Sequence, residues 1–230
     1  MALGHGAARR AEHQRRMSTQ EWWALLVLAT ATSFTPGPNT TLSATLAANG
    51  GLRAAMRFVF AVPVGWGLLL LIGSLGFGAL VLAVPALRWV IVLAGSAYLC
   101  WLAWRLANSH RLQDLSQAPL HVGFWQGVGL QFLNIKAWMM ALSIVGGWIS
   151  GQADAAARFV QVLPVLMAYA LLSNLAYASV GSVLRHWLAG PMVDGQATGG
   201  RLRRFNQTMA LALVLTAAWM VWNQTSFAYI

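Results

Sequence analysis

Apolar residues in this chain fall into six long runs separated by polar connections, at about 22–48, 57–84, 86–106, 123–149, 159–185 and 205–225. Each run supplies the roughly 20 residues needed to cross a ~30 Å hydrocarbon core. The runs are continuous and do not alternate with period two, so they predict helices, not barrel strands. Tryptophans such as Trp22, Trp23, Trp89, Trp104, Trp125, Trp148 and Trp187 gather near run ends, as in an interfacial belt. Trp66, Trp138 and Trp219 lie deeper. Ser18-Thr19-Gln20-Glu21 reads as a helix cap just ahead of the first run.

Two further boundaries organise the chain. Residues 1–21 are a basic leader with Arg9, Arg10, Arg15 and Arg16, expected to be disordered. The polar connection 107–122, with Asp114 and Pro119, separates 22–106 from 123–225, three runs on each side. Arg57-Phe58-Val59-Phe60-Ala61-Val62-Pro63-Val64 opens the second run, and Arg158-Phe159-Val160-Gln161-Val162-Leu163-Pro164-Val165 opens the fifth. Five of the eight positions are identical, and the proline stands at the same distance from the arginine in both. A repeat of three spans re-enters the membrane with reversed orientation. The expected fold is therefore an all-α integral membrane protein of six transmembrane helices, built as two inverted three-helix repeats.

Composition agrees. Of 230 residues, 58% are hydrophobic and 9% charged, with mean hydropathy +0.61. So few charges cannot cover a water-soluble domain of this size, in which about 25% is usual. The net charge of +10 is read as loop arginines facing anionic lipid headgroups, not nucleic acid. If the termini lie outside, Arg53, Arg57, Arg105, Arg111, Arg185, Arg201, Arg203 and Arg204 lie inside, against Arg88, Arg158 and the four leader arginines. The positive-inside rule favours that orientation once the leader is set aside. Cys100 is the single cysteine, which excludes an intrachain disulfide and thiolate metal sites. It reads as a small packing residue. No run supplies a His/Asp/Glu cluster, so the chain is not read as an enzyme, and no cofactor or metal is expected.

Chemistry concentrates at two places. Thr35-Pro36-Gly37-Pro38-Asn39-Thr40-Thr41 interrupts the first run. Two prolines around a glycine remove backbone donors and break a helix in mid-span. One proline would read as a kink; this cluster reads as a discontinuous helix lining a cavity. Asn134-Ile135-Lys136 holds the matching place in the fourth run, and both sites stand about a dozen residues before a Gly-Gly pair. Breaks at corresponding positions of two repeats point to a transporter's substrate site. Lys136, the only lysine, has about ten apolar or small residues on each side. A charge there costs about 2.5–3.5 kcal/mol on insertion scales, and no acidic residue lies within any run to offset it. It can be neutral, bond to carbonyls near Pro36 or to the amides of Asn39 and Asn134, or meet a substrate carboxylate. Asn174 in the fifth run either bonds across helices or touches a ligand. Gly65, Gly67, Gly73, Gly76 and Gly78 read as close-packing positions.

Pro36-Gly37-Pro38-Asn39, Gly51-x-Arg53-Ala54, Gly95-x-x-Tyr98-Leu99, and Phe124-x-x-Gly127 followed by Asn134-x-Lys136 resemble the LysE/RhtB family of amino-acid exporters. The resemblance covers about residues 17 to 225. It implies a multi-pass protein of the bacterial inner membrane that exports an amino acid or derivative, with protons as coupling ion. The family's second motif is usually Asn-Pro-Lys. Here Ile135 replaces the proline, so a milder second break is expected.

The expected mechanism is alternating access between the halves, with a zwitterion held near mid-membrane. Its carboxylate would meet Lys136 or amides at a half-helix N-terminus. Asn39 and Asn134, with Thr40 or Thr41, would orient it. Its ammonium would take carbonyls freed around Pro36, Gly37 and Pro38. Lys136 is also the candidate proton carrier. The expected partners are this small molecule, protons and the lipid bilayer, and a homo-oligomer is compatible with the pattern. The alternative reading is a membrane channel or a non-catalytic membrane assembly partner.

Overall fold

The computed structural model describes residues 17–108, 121–190, 192–193, 196–197 and 199–226. The leader up to residue 16 and most of the 107–122 connection lie outside the described residues. Residues 17–21 are not loose leader: Met17 is buried, Ser18 caps the first helix, and Thr19 to Glu21 are already helical.

Helix α1 runs Thr19–Phe34 and α2 Pro38–Gly50. Helix α3 spans Leu52–Ser74, followed by the short α4, Phe77–Ala83, and α5, Pro85–Ala107. The second half holds α6, Phe124–Phe132, α7, Ile135–Ile144, and a π-helical extension, Val145–Ile149. Helices α8, Ala155–Ala189, and α9, Gly200–Ser226, complete it. A two-residue antiparallel ladder, β1 (Met192–Val193) with β2 (Gln196–Ala197), lies between α8 and α9.

Among the described residues four helices are long and apolar enough to cross a membrane: α3, α5, α8 and α9. The bent pair of α6 with the α7 helix and its extension makes a fifth if counted as one span. The first run does not qualify as a sixth. Helix α1 has 16 residues, a rise of only about 24 Å. Helix α2 is rich in Thr, Ser, Asn and Ala and is buried from Leu42 through Ala48. Such a helix is sheltered by protein, so it need not be apolar towards lipid.

Helix α2 packs on α8 and α3, while α3 also packs on α8 and α6, and α5 pairs with α9. The main core joins Leu42, Phe58, Val62, Leu69, Leu102 and Leu213 from these helices. Large apolar side chains point outward on α3 (Phe60, Leu68), α5 (Val90, Leu93), α8 (Leu172, Val183) and α9 (Leu211, Leu215). An apolar outside around a core with polar contacts suits lipid, where helix association relies on packing and interhelical hydrogen bonds. Cys100 belongs to the outer surface of α5, so its reading as a packing residue is corrected.

Polar ties fix the elements around the breaks. Ser43 Oγ donates to Asn174 Oδ1 at 2.8 Å, joining α2 to α8. Asn49 and Asn206 exchange two amide hydrogen bonds at 2.9 and 3.0 Å, joining α2 to α9. At the start of α1, Arg158 donates to Glu21 at 2.6 Å, and the Trp148 indole donates to the Glu21 carbonyl at 2.9 Å.

Glu21 precedes the apolar run. Arg158, and then the Ser18 backbone N–H, hold its carboxyl below the ordinary carboxylate range. A lowered acid contributes stability that is present above its unfolded value and lost as pH falls through the folded one. The Glu21 contribution should therefore persist at neutral pH and disappear only on acidification below the usual carboxylate range. Arg158 is 8% exposed and Glu21 32%, which places the pair between the exposed and buried limits. Glu21→Gln is expected to cost about 1–3 kcal/mol, read as a lower melting temperature in detergent at pH 7. At low pH the variant and parent should converge.

Candidate functional site

Both chain breaks are stabilised from within the protein. At the first, Gly37 is fully extended. Its N–H donates to Thr40 Oγ1 at 2.9 Å and its carbonyl accepts from the Thr40 hydroxyl at 3.1 Å and from Thr41 N–H at 2.9 Å. The Phe34 carbonyl, left without a helical partner, accepts from Tyr177 OH at 2.9 Å. At the second, Asn134 starts α7 from an extended conformation, and the freed Phe132 carbonyl accepts from the Trp138 indole at 2.9 Å. This break bends the run by 69° without any proline. The second break is a full interruption although Ile135 stands in place of a proline, and Trp138 satisfies the carbonyl that an unbroken helix would have bonded.

A cavity of about 80 Å³ lies between the two breaks. A water-sized group needs about 10–15 Å³ on this measure, so there is room for roughly five to eight such groups. Of the sequence-predicted residues, Gly37, Pro38, Asn39, Thr40, Asn134, Lys136 and Asn174 line it. Pro36 and Thr41 do not; Pro36 is exposed and Thr41 is the fourth residue of α2. Thr32, Ser33, Thr35, Trp66, Met140 and Ser173 also line it. A second space of about 10 Å³ lies behind Pro38, Asn39 and Asn134 towards Gly95, Leu99 and Met220.

Lys136 reaches from α7 to the first break: its Nζ is 4.0 Å from where a side-chain carbon on Gly37 would begin. Among the described residues Lys136 has no hydrogen-bond or ion-pair partner. No acidic side chain among the described residues lines the cavity. The N-terminal ends of α2 and α7 also meet here, and the first amides of a helix present partial positive charge. The site is therefore electropositive and incomplete on the anionic side.

The asparagines divide by what they already hold. Asn39 and Gln131 form a reciprocal amide pair, Nδ2 to Oε1 at 2.8 Å and Nε2 to Oδ1 at 3.2 Å. Gln131 Nε2 also donates to the Gly127 carbonyl at 3.1 Å. Asn174 accepts from Ser43 and donates to the Ala170 carbonyl at 2.8 Å, so its bonds run across and within helices. Asn134 differs, for its Oδ1 is buried with no partner. The hydroxyls of Thr32, Thr35 and Ser173 donate to carbonyls of their own helices. Their protons are spent and only lone pairs remain to accept. Of the carbonyls around Pro36 to Pro38 expected to receive an ammonium, the one at Gly37 already accepts two hydrogen bonds. The Phe34 carbonyl is also taken, and Asn134 Oδ1 and these hydroxyl oxygens stand as side-chain acceptors.

The LysE type translocator family matches residues 30–223. The chain belongs to that family. Among its relatives are the cysteine/O-acetylserine efflux protein of Salmonella typhimurium, 30% identical over 155 residues, and the protein of the same name from Escherichia coli K12, 30% identical over 158 residues. Each comparison covers 67% of this chain and 78% of the relative. No solved structure matches.

Sequence reading missed the lining residues Thr32, Ser33, Thr35, Trp66, Met140 and Ser173, and also a residue outside the lining that holds Asn39. Gln131 is fully buried and orients Asn39. A polar residue inside an apolar run is the signal that could have found it. Gln131→Leu is expected to leave the Asn39 amide unpaired, at about 1–3 kcal/mol of stability, and to lower efflux severalfold. Gln131→Glu should retain part of that activity by still accepting from Asn39. Equal flux in the Leu variant and the parent would remove Gln131 from the site.

Proposed function

We propose that this translocator exports a small amino acid or amino-acid derivative across the bacterial inner membrane, coupled to protons, by alternating access of two inverted three-helix halves. The observation that carries the reading is Lys136 beside a cavity between two interrupted helices, without a partner and without an acidic side chain in the lining among the described residues. A substrate carboxylate there would meet the lysine and two helix N-termini. The ammonium would meet Asn134 Oδ1 and hydroxyl oxygens. The volume favours a short side chain, in keeping with the cysteine and O-acetylserine named for the relatives.

Three observations support the two-half arrangement. The breaks fall at corresponding places, each with one freed carbonyl met by an aromatic donor. The equivalent arginines reach towards the other half's first helix: Arg158 to Glu21 in its first turn, and Arg57 to His121, three residues ahead of α6, at 3.3 Å. The third long helices, α5 and α9, pair with each other. In this reading the first broken run and the bent pair are each one span, giving six, and Lys136 carries the exchanged proton.

The test is efflux of labelled cysteine from proteoliposomes holding the full chain, with and without an imposed proton gradient. Concentrative flux that collapses on adding an uncoupler is expected. Flux that only equilibrates cysteine would replace the transporter with a channel. No cysteine or O-acetylserine flux under any gradient would remove the amino-acid reading.

A further inference from the structure

Charge in the cavity sets which small acids fit it best. Among the described residues the lining has one basic side chain, Lys136, two helix N-termini and no acid. A zwitterionic amino acid brings no net charge, so one positive charge stays uncompensated in the protein interior, where unpaired charge is costly. A monocarboxylate whose 2-position carries a hydroxyl in place of the ammonium has the same skeleton and brings one negative charge. It would leave the cavity neutral.

Hydrogen bonding points the same way. An ammonium has three protons to place, whereas a hydroxyl has one. Among the described residues the one unsatisfied buried side-chain acceptor at the site is a neutral oxygen, Asn134 Oδ1, and the Thr32, Thr35 and Ser173 hydroxyls add only their remaining lone pairs. One hydroxyl proton satisfies Asn134 Oδ1. The hydroxyl's own oxygen can accept from Lys136, which an ammonium cannot do. A basic amino acid would add a second positive charge to a site that already lacks a negative one.

We propose that the same cavity takes short 2-hydroxy monocarboxylates, and that the protein exports them as a second substrate class alongside amino acids. The inference rests on the cavity being the substrate site, and adds to that reading a recognition led by the carboxylate and indifferent to the amine.

Cysteine and 3-mercaptolactate form a matched pair that differs only by ammonium against hydroxyl, and L-serine with L-glycerate forms another. Proteoliposomes holding the full chain are loaded with each labelled compound and efflux is compared under the same gradient. The hydroxy acids are expected to leave at least as fast as their amino twins, and L-lysine not at all. Cysteine efflux without hydroxy-acid efflux would overturn this inference and leave the amino-acid reading standing. Hydroxy-acid efflux without cysteine would do the reverse, and absence of both would overturn the two together.

Lys136→Gln supplies a readout that misfolding cannot imitate, because it is a ratio within one preparation. Removing the positive charge should depress hydroxy-acid flux on the order of tenfold more than cysteine flux. An unchanged ratio in flux-competent vesicles would overturn the charge argument. Should the variant be inactive towards both, competition between the twins for cysteine efflux by the parent protein decides. Half-inhibition by 3-mercaptolactate at or below the concentration needed for unlabelled cysteine is expected, and lack of inhibition would overturn the proposal.

Discussion

Lys136→Met should abolish efflux while leaving the fold at least as stable as the parent. The two effects have one cause. Lys136 has no partner among the described residues, so its side chain contributes little to holding the helices together. Placing a basic group at that depth costs about 2.5–3.5 kcal/mol on insertion scales, and a methionine of similar length removes the cost. Transport should nevertheless fall at least about 100-fold, since losing the one basic group beside the cavity removes roughly 3 kcal/mol or more of substrate interaction. The measurement pairs thermal melting in detergent with initial efflux rate. Undiminished efflux in the Met variant would sink the assignment. A large drop in melting temperature would make Lys136 a structural residue instead. Lys136→Arg keeps the charge but not the compact shape, and is expected to retain a small fraction of the flux.

The second large effect lies where two backbones touch. A Cβ added at Gly95 of α5 would stand 2.0 Å from the Leu133 carbonyl oxygen, at the second break. One added at Gly181 of α8 would stand 2.1 Å from the Ala44 carbonyl oxygen on α2. Neither neighbour is a flexible side chain that can swing away, so a helix must move. Gly95→Ala and Gly181→Ala are each expected to cost about 3 kcal/mol, the upper part of the usual overpacking range, and to reduce efflux by displacing a wall of the cavity. Gly129 on α6 has nothing within 4 Å of the same position. Gly129→Ala should therefore be neutral, or stabilising by up to about 1 kcal/mol through helix propensity. Equal melting temperatures for all three variants would show that the close approaches are not real constraints.

These predictions separate what is local from what is not. Pro36, Gly37 and Pro38 dictate the first break through their own backbones, so that break is legible from composition alone. The second break is not legible in that way: Ile135 carries no such restriction, and the 69° bend depends on Trp138 turning back to the Phe132 carbonyl. Thr40 was expected to face a substrate, yet its hydroxyl is occupied capping α2. Asn174 reads first as a cross-link and only second as a ligand, and Ser43 against it supplies the cross-link. Glu21 reads as a cap, and it is one, but its ion pair with Arg158 spans 137 positions.

The sequence alone determined the membrane class, the helical fold, the interrupted first run and the isolation of Lys136. Those follow from run length, local backbone chemistry and the count of acids, none of which requires knowing how helices pack. Tertiary structure decided that α2 is buried by protein, which donors satisfy the freed carbonyls, and which polar groups stay open to a ligand. Those depend on contacts between helices far apart in the chain, and hydrogen bonds of that kind form only where packing brings two particular side chains within reach.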